Sequence, residues 1–306
     1  MQQLALSAAE IEKLPDTYEA AITSGKFAAE HHLDASVNYL PHGLLRDRGE
    51  WVEIDSYTPE THEDIMDRFI SLHARNFMGR SHYRIFYRFP EGRKQVTDYL
   101  SELEAKGMDW KKSAQHGFAQ LLKGTPEIPV HTELLLLQLM MTMDDQLRPT
   151  PTRIVESVQF RMFCNLDGSS TPPTNTGVGV NILDYRMQRH LLFDHLNAGG
   201  LHREPEDQPQ YRVAIEGAKQ TAPDWGFADK AVLFQQCTDC HMSPRLERPG
   251  VVSIPSIINT GGFDAGAQMG VSRPLEPGQE NVRSQRVARF KLRHETFRRL
   301  QELLEE

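Results

Sequence analysis

A chain of 306 residues, 39% hydrophobic and 25% charged, has enough apolar material for one large domain or two ordinary ones. Its net charge of −8 disfavours general nucleic-acid affinity, because holding a phosphate backbone needs a basic surface. No apolar run reaches the roughly 20 residues that span a bilayer, and the longest, LLLLQLMMTM at 134–143, is interrupted by Gln138.

In chain order, residues 1–35 read as helical. SAAEIEK offers Ser7 as N-cap and Glu10 three residues later, a capping box, and DTYEAAITSGKFAAEHH is rich in Ala and Glu. The opening MQQLALSAAEIEKLPD lacks the basic n-region and apolar h-region of a signal peptide. Residues 36–60, punctuated by Pro41, Gly43, Gly49 and Pro59, read as connection. THEDIMDRFISLHARNF at 61–77 has helical spacing. YRIFYRF at 83–89 alternates and predicts a strand. EGRKQVTDYLSELEAKG at 91–107 predicts an amphipathic helix with Val96, Tyr99, Leu100 and Leu103 on one face, and 109–124 predicts another.

HTELLLLQLMMTM at 131–143 and RIVESVQFRMFCN at 153–165 are long extended segments separated by DDQLRPTPT. They predict an antiparallel hairpin, with a bulge where Val155, Ser157, Gln159 and Met162 mix faces. GSSTPPTNTG at 168–177 is loop by composition, and VGVNILDYRMQRHLLFDHLN reads as strand then helix or as strand throughout. PDWGFADKAVLFQQ at 223–236 predicts a helix, the Gly/Pro-rich stretch after 248 is irregular, and SQRVARFKLRHETFRRLQELL at 284–304 predicts a terminal helix. The composition shifts near 200–210. The fold expected is therefore α+β: a mixed N-terminal domain, 1–205, with an antiparallel hairpin, and a mainly helical region, 206–306.

The chemistry is concentrated in CTDCH, residues 237–241. The chain has three cysteines, and Cys237 and Cys240 form one local unit while Cys164 stands alone. This is not a disulfide-stapled scaffold. Cys-x-x-Cys-His is the pattern for covalent attachment of haem c. Two thiols at this spacing reach two vinyl groups along one edge of the porphyrin, and the next residue turns its imidazole to the iron. Three other readings use the same atoms. A zinc site would recruit Cys237, Cys240, His241 and either Cys164 or another histidine, although no second paired cluster exists. A redox dithiol would sit at a strand-to-helix turn, where here a helix is expected to lead in. A small disulfide loop is the third.

At these five residues the chain resembles c-type cytochromes. The likeness extends over about 223–306, through the helix expected before the motif and the amphipathic helix after it. It implies thioether bonds at Cys237 and Cys240, proximal ligation by His241, one haem c, and single-electron transfer with a redox partner protein. The chain departs from the family in placing the motif far from its start and in following it with a Gly-rich interval holding only Met242 and Met269. Met269, 28 residues past His241, is the candidate sixth ligand, while Met242 is too close to His241 to reach the far side of the iron. His131, His190, His195 and His294 are further candidates. An open sixth position would instead suit a haem enzyme, peroxidase-like or oxidising a small-molecule substrate. A non-catalytic zinc or thiol protein is the third class.

Arg283, Arg286, Arg289, Lys291, Arg293, Arg298 and Arg299 form a basic stretch that suits haem propionates or an acidic partner, or simply a solvated helix face. Asp144-Asp145 and Glu204-Glu206-Asp207 read as turn and loop acids, and GVGV at 177–180 lacks phosphate-loop spacing. Because haem c is attached outside the bacterial cytoplasm, the resemblance implies an exported, periplasmic protein whose export signal lies upstream of this sequence.

Overall fold

A computed structural model describes residues 5–27, 37–46, 48–57, 81–106, 128–163, 180–188, 190–191, 197–204, 212–214, 231–233, 271–275, 298–299 and 301–303. Their centre is a seven-stranded sheet in which every neighbouring pair is antiparallel. The elements in chain order are helices α1 (Ala8–Glu12) and α2 (Thr17–Thr23), strands β1 (Val52–Tyr57) and β2 (Ser81–Arg88), and helix α3 (Arg93–Lys106). Strands β3 (Glu133–Met143), β4 (Pro149–Phe163) and β5 (Val180–Met187) follow, then a 3-10 turn (Asn197–Gly200) and β6 (Leu201–Arg203). Strands β7 (Arg212–Ala214), β8 (Ala231–Leu233) and β9 (Val271–Pro274) complete the set. The large sheet runs β6-β5-β4-β3-β2-β1-β9, and β7 pairs with β8 in a separate two-stranded ladder.

The N-terminal helices start where their caps dictate. Ser7 and Glu10 form the expected capping box, with the Ser7 side chain accepting from Glu10 N–H and the Glu10 carboxylate accepting from Ser7 N–H. Asp16 caps α2 by accepting from Glu19 N–H at 3.0 Å. On α2, Thr17, Tyr18, Ala21 and Ile22 are buried, and the core they enter includes Phe27, Tyr39, Leu40 and Trp51 over Phe86, Leu135, Val158 and Phe160 of the sheet. This is the sheet's first face. Thr17 also joins the sheet chemically, its Oγ1 accepting from Val155 N–H at 2.8 Å. Tyr185 binds the loop above it through one oxygen, accepting from Tyr39 N–H at 2.9 Å and donating to Tyr39 C=O at 2.5 Å.

The predicted hairpin is β3–β4, and the predicted bulge is present as register shifts between Gln138 and Leu139 and between Leu139 and Met141. Gln138 pairs with Ser157 and Leu139 with Val155, so Glu156 is passed over. Asp144 closes the turn: its carboxylate accepts from the backbone N–H groups of Gln146 and Arg148 at 2.9 and 2.8 Å and from Arg148 Nε at 2.9 Å. Helix α3 lies where predicted, with Val96, Tyr99 and Leu100 buried. It meets the second face of the sheet through a ring series, Tyr87–Phe89 at 5.7 Å and Phe89–Tyr99 at 5.3 Å between centroids.

Several expectations need correction. The described residues do not form an α+β fold with a mainly helical C-terminal region; they form an antiparallel sheet with few, mostly short helices. Residues 36–60 are not all connection, because Val52 and Ile54 alternate within β1 and are buried. Within the helix expected over 223–236, Ala231–Leu233 is strand β8, paired with Arg212–Ala214. A three-residue apolar run has no period of its own, and a partner strand decides its state. Val271–Pro274, in the stretch read as irregular, is β9, and Pro274 sits at an outer strand, where a missing N–H is tolerated. The terminal helix is seen in its described part: 298–299 and 301–303 are helical, and Gln301 Nε2 donates to Leu147 C=O at the β3–β4 turn, 3.0 Å away. The helices expected at 61–77 and 109–124 lie outside the described residues.

Candidate functional site

The sequence-predicted site does not fall among the described residues. Cys237, Cys240, His241 and Met269 lie outside them, as do Met242, Cys164, His195 and His294. His131 is described at an exposed turn before β3, with a left-handed φ of 69° and its N–H donating to Phe163 C=O at 2.6 Å. His190 is exposed. Neither is brought to another histidine or cysteine by a described contact. Of the basic stretch, Arg298 and Arg299 are described and exposed. Among the described residues, no group of three or more His, Cys, Asp or Glu side chains is placed to hold a metal ion.

What the structure brings together is a polar half-face. Antiparallel register places directly opposed residues on one face. On the second face this aligns Gln138, Ser157, Arg186 and His202 across β3, β4, β5 and β6. The next row is Leu136, Gln159 and Asp184. The row after that is Tyr87, Leu134 and Arg161. Asp184 and Arg161 are buried, although ionisable side chains seldom are. Ser157 Oγ donates to Gln138 Oε1 at 2.6 Å and Arg161 donates to Gln159 Oε1 at 2.8 Å. The Tyr87 hydroxyl shares this face, and its burial pushes its pKa well above the usual phenol value, so it stays protonated.

At the outer end of the first row His202 is held on three sides. Its Nδ1 lies 3.2 Å from Arg186 C=O, its Nε2 lies 3.0 Å from Gln188 Nε2, and Glu204 Oε1 is 3.5 Å from the same Nε2.

On the first face two arginines are paired with carboxylates. Arg84 makes a bidentate bridge to Glu53, at 3.0 and 2.7 Å, and Arg88 pairs with Glu133 and Glu50 while stacking over Trp51. Burial works against the Arg88 cation, but the Glu133 charge outweighs it, so the guanidinium is held more firmly protonated than usual.

The polar half-face offers hydrogen-bond donors and acceptors but no activated nucleophile. Ser157 Oγ is directed to an amide rather than to a histidine, so the described rows contain no Ser–His relay. The sequence did carry a signal for them. Ser157, Gln159 and Arg161 recur with period two in β4, as do Asp184 and Arg186 in β5. The register that assembles these strings into one surface was not readable from either strand alone.

No family model, curated protein or solved structure matches the chain. Among the described residues, no helix is long and apolar enough to cross a membrane.

Proposed function

We propose that this chain carries one covalently attached haem c through Cys237, Cys240 and His241 and passes single electrons to a protein partner. The observation that carries the reading is CTDCH itself, in a chain with only three cysteines. The donor set fits the group: two thiols three positions apart for the thioethers and an adjacent imidazole for the iron. When bound, such a haem supplies a one-electron couple whose potential follows its axial ligands and its surroundings. Met269 would be the second protein ligand to the iron. The reading places the mature protein outside the cytoplasm, in the periplasm of a bacterium.

The test is a pyridine haemochrome spectrum of protein produced with a c-haem maturation system, taken after acid-acetone extraction. A c-type band that stays with the polypeptide, and is lost in Cys240→Ser, is the expected result. Colourless wild-type protein from a competent host refutes the proposal and leaves CTDCH as a zinc or thiol site. If haem is present, a low-spin spectrum indifferent to cyanide and carbon monoxide supports electron transfer. A high-spin spectrum that shifts with them makes the chain a haem enzyme with an open sixth position.

A further inference from the structure

We propose that His202 is a proton-responsive clasp on the outer strand β6, exchanging Gln188 for Glu204 as its partner when the ring takes up a proton from solvent. The geometry at the two ring nitrogens carries this. Arg186 C=O, 3.2 Å from Nδ1, can only accept, so Nδ1 bears a hydrogen. The Gln188 amide nitrogen, 3.0 Å from Nε2, can only donate, so Nε2 presents its lone pair. With the Gln188 amide in this orientation, the two contacts fit the neutral Nδ1–H tautomer. Glu204 Oε1 stands 3.5 Å from that same Nε2. A carboxylate only accepts, so it has nothing to offer a bare Nε2 and becomes a partner once Nε2 carries a proton. One nitrogen thus faces a donor and an acceptor, and the proton selects between them.

The charges around the ring set a balance. Arg186, its register partner on the same face, opposes a second positive charge. Glu204 favours one, and so does Asp184, whose C=O accepts from Glu204 N–H at 2.8 Å. Arg203 is on the opposite face, opposite Tyr185, and the 3-10 turn Asn197–Gly200 before β6 contributes no charged side chain. The ring is half-buried, leaving it a path to water. On acidification the Gln188 amide must turn or leave, and β6 becomes held to its own end by an ion pair.

The experiment is nitrogen-15 NMR of the full chain, with His202→Gln identifying the signal. The expected spectrum at pH 8 has Nδ1 protonated and Nε2 bare; at pH 5 both are protonated. A double-mutant cycle between His202→Gln and Glu204→Gln, read by urea unfolding, is expected to show a coupling that favours the folded state about two- to fivefold at pH 5 and none at pH 8. A neutral ring with its proton on Nε2, or equal coupling at the two pH values, overturns the proposal.

Discussion

Tyr185→Phe isolates a single oxygen with two tasks. The hydroxyl accepts from Tyr39 N–H and donates to Tyr39 C=O, which ties the loop preceding β1 to the centre of β5. Phenylalanine keeps the ring, its edge-on contact with Phe27 at 5.4 Å between centroids, and nearly all the packed volume. No cavity cost is therefore added. What is lost is a donor and an acceptor for two backbone groups of a residue that is itself buried. Stranding a buried polar group costs about 1–3 kcal/mol, so the loss of partners for two such groups is expected to cost about 2–6 kcal/mol in all. Tyr18→Phe is the internal control: that hydroxyl makes one bond, to Pro41 C=O at 2.9 Å, and its loss should cost about half as much. Urea unfolding of the three proteins, followed by tryptophan fluorescence and circular dichroism, measures both differences. If Tyr185→Phe unfolds within about 0.5 kcal/mol of wild type, or no further from it than Tyr18→Phe does, the paired bond is not a structural tie and the reasoning fails.

Gly199→Ala should be more damaging than its one added methyl suggests. Gly199 has φ of 61°, and a Cβ there would fall 1.8 Å from the Thr17 carbonyl oxygen, so α2 and the 3-10 turn would have to separate. A loss of about 2–4 kcal/mol is expected from strain and overpacking; a melting temperature equal to wild type would show that the two elements do not meet this closely. Asp144 gives a pH test. Burial raises its pKa, but hydrogen bonds from the Arg148 and Gln146 backbone and the Arg148 side chain outweigh this, and the net shift is downward. A lowered folded pKa means that its contribution is complete above the unfolded value near 3.9 and is lost as pH falls through the folded one. Asp144→Asn should therefore cost about 1–3 kcal/mol at pH 6, with the gap to wild type closing on acidification below that unfolded value. A gap of constant size from pH 6 to pH 2 would rule out the carboxylate as its source.

Much of the sheet could be read before any coordinates. The hairpin announced itself because LLLLQLMMTM and RIVESVQFRMF are too long and too rich in branched and aromatic residues for turns, and because DDQLRP supplies Asp144 to close them. Helix α3 and the Ser7 capping box were legible because their signals are local, within three or four residues. Strand β1 was hidden by the Gly and Pro residues that flank its alternation. Strands β8 and β9 were hidden because three or four residues have no period, and their state is decided by partners far away in sequence. The same distance explains the polar half-face. Arg161, Asp184 and His202 belong to three strands, and only the register sets them on one face. CTDCH is the opposite case: the pattern lies entirely in adjacent residues, so it is visible without any register, and it falls outside the described residues.

The pairing of β1 with β9 joins Tyr57 to Val271 and so spans more than two hundred residues of chain. A contact of that separation pays its loop-closure entropy late, after the local hairpins have formed. As the chain is delivered to the compartment where it folds, β1 keeps one side of its ladder open until almost the whole polypeptide has arrived. Such an open side is a template for pairing with other chains. The nascent protein thus passes through a long interval in which its N-terminal half is sticky, and truncated products ending before 271 should aggregate where the full chain does not.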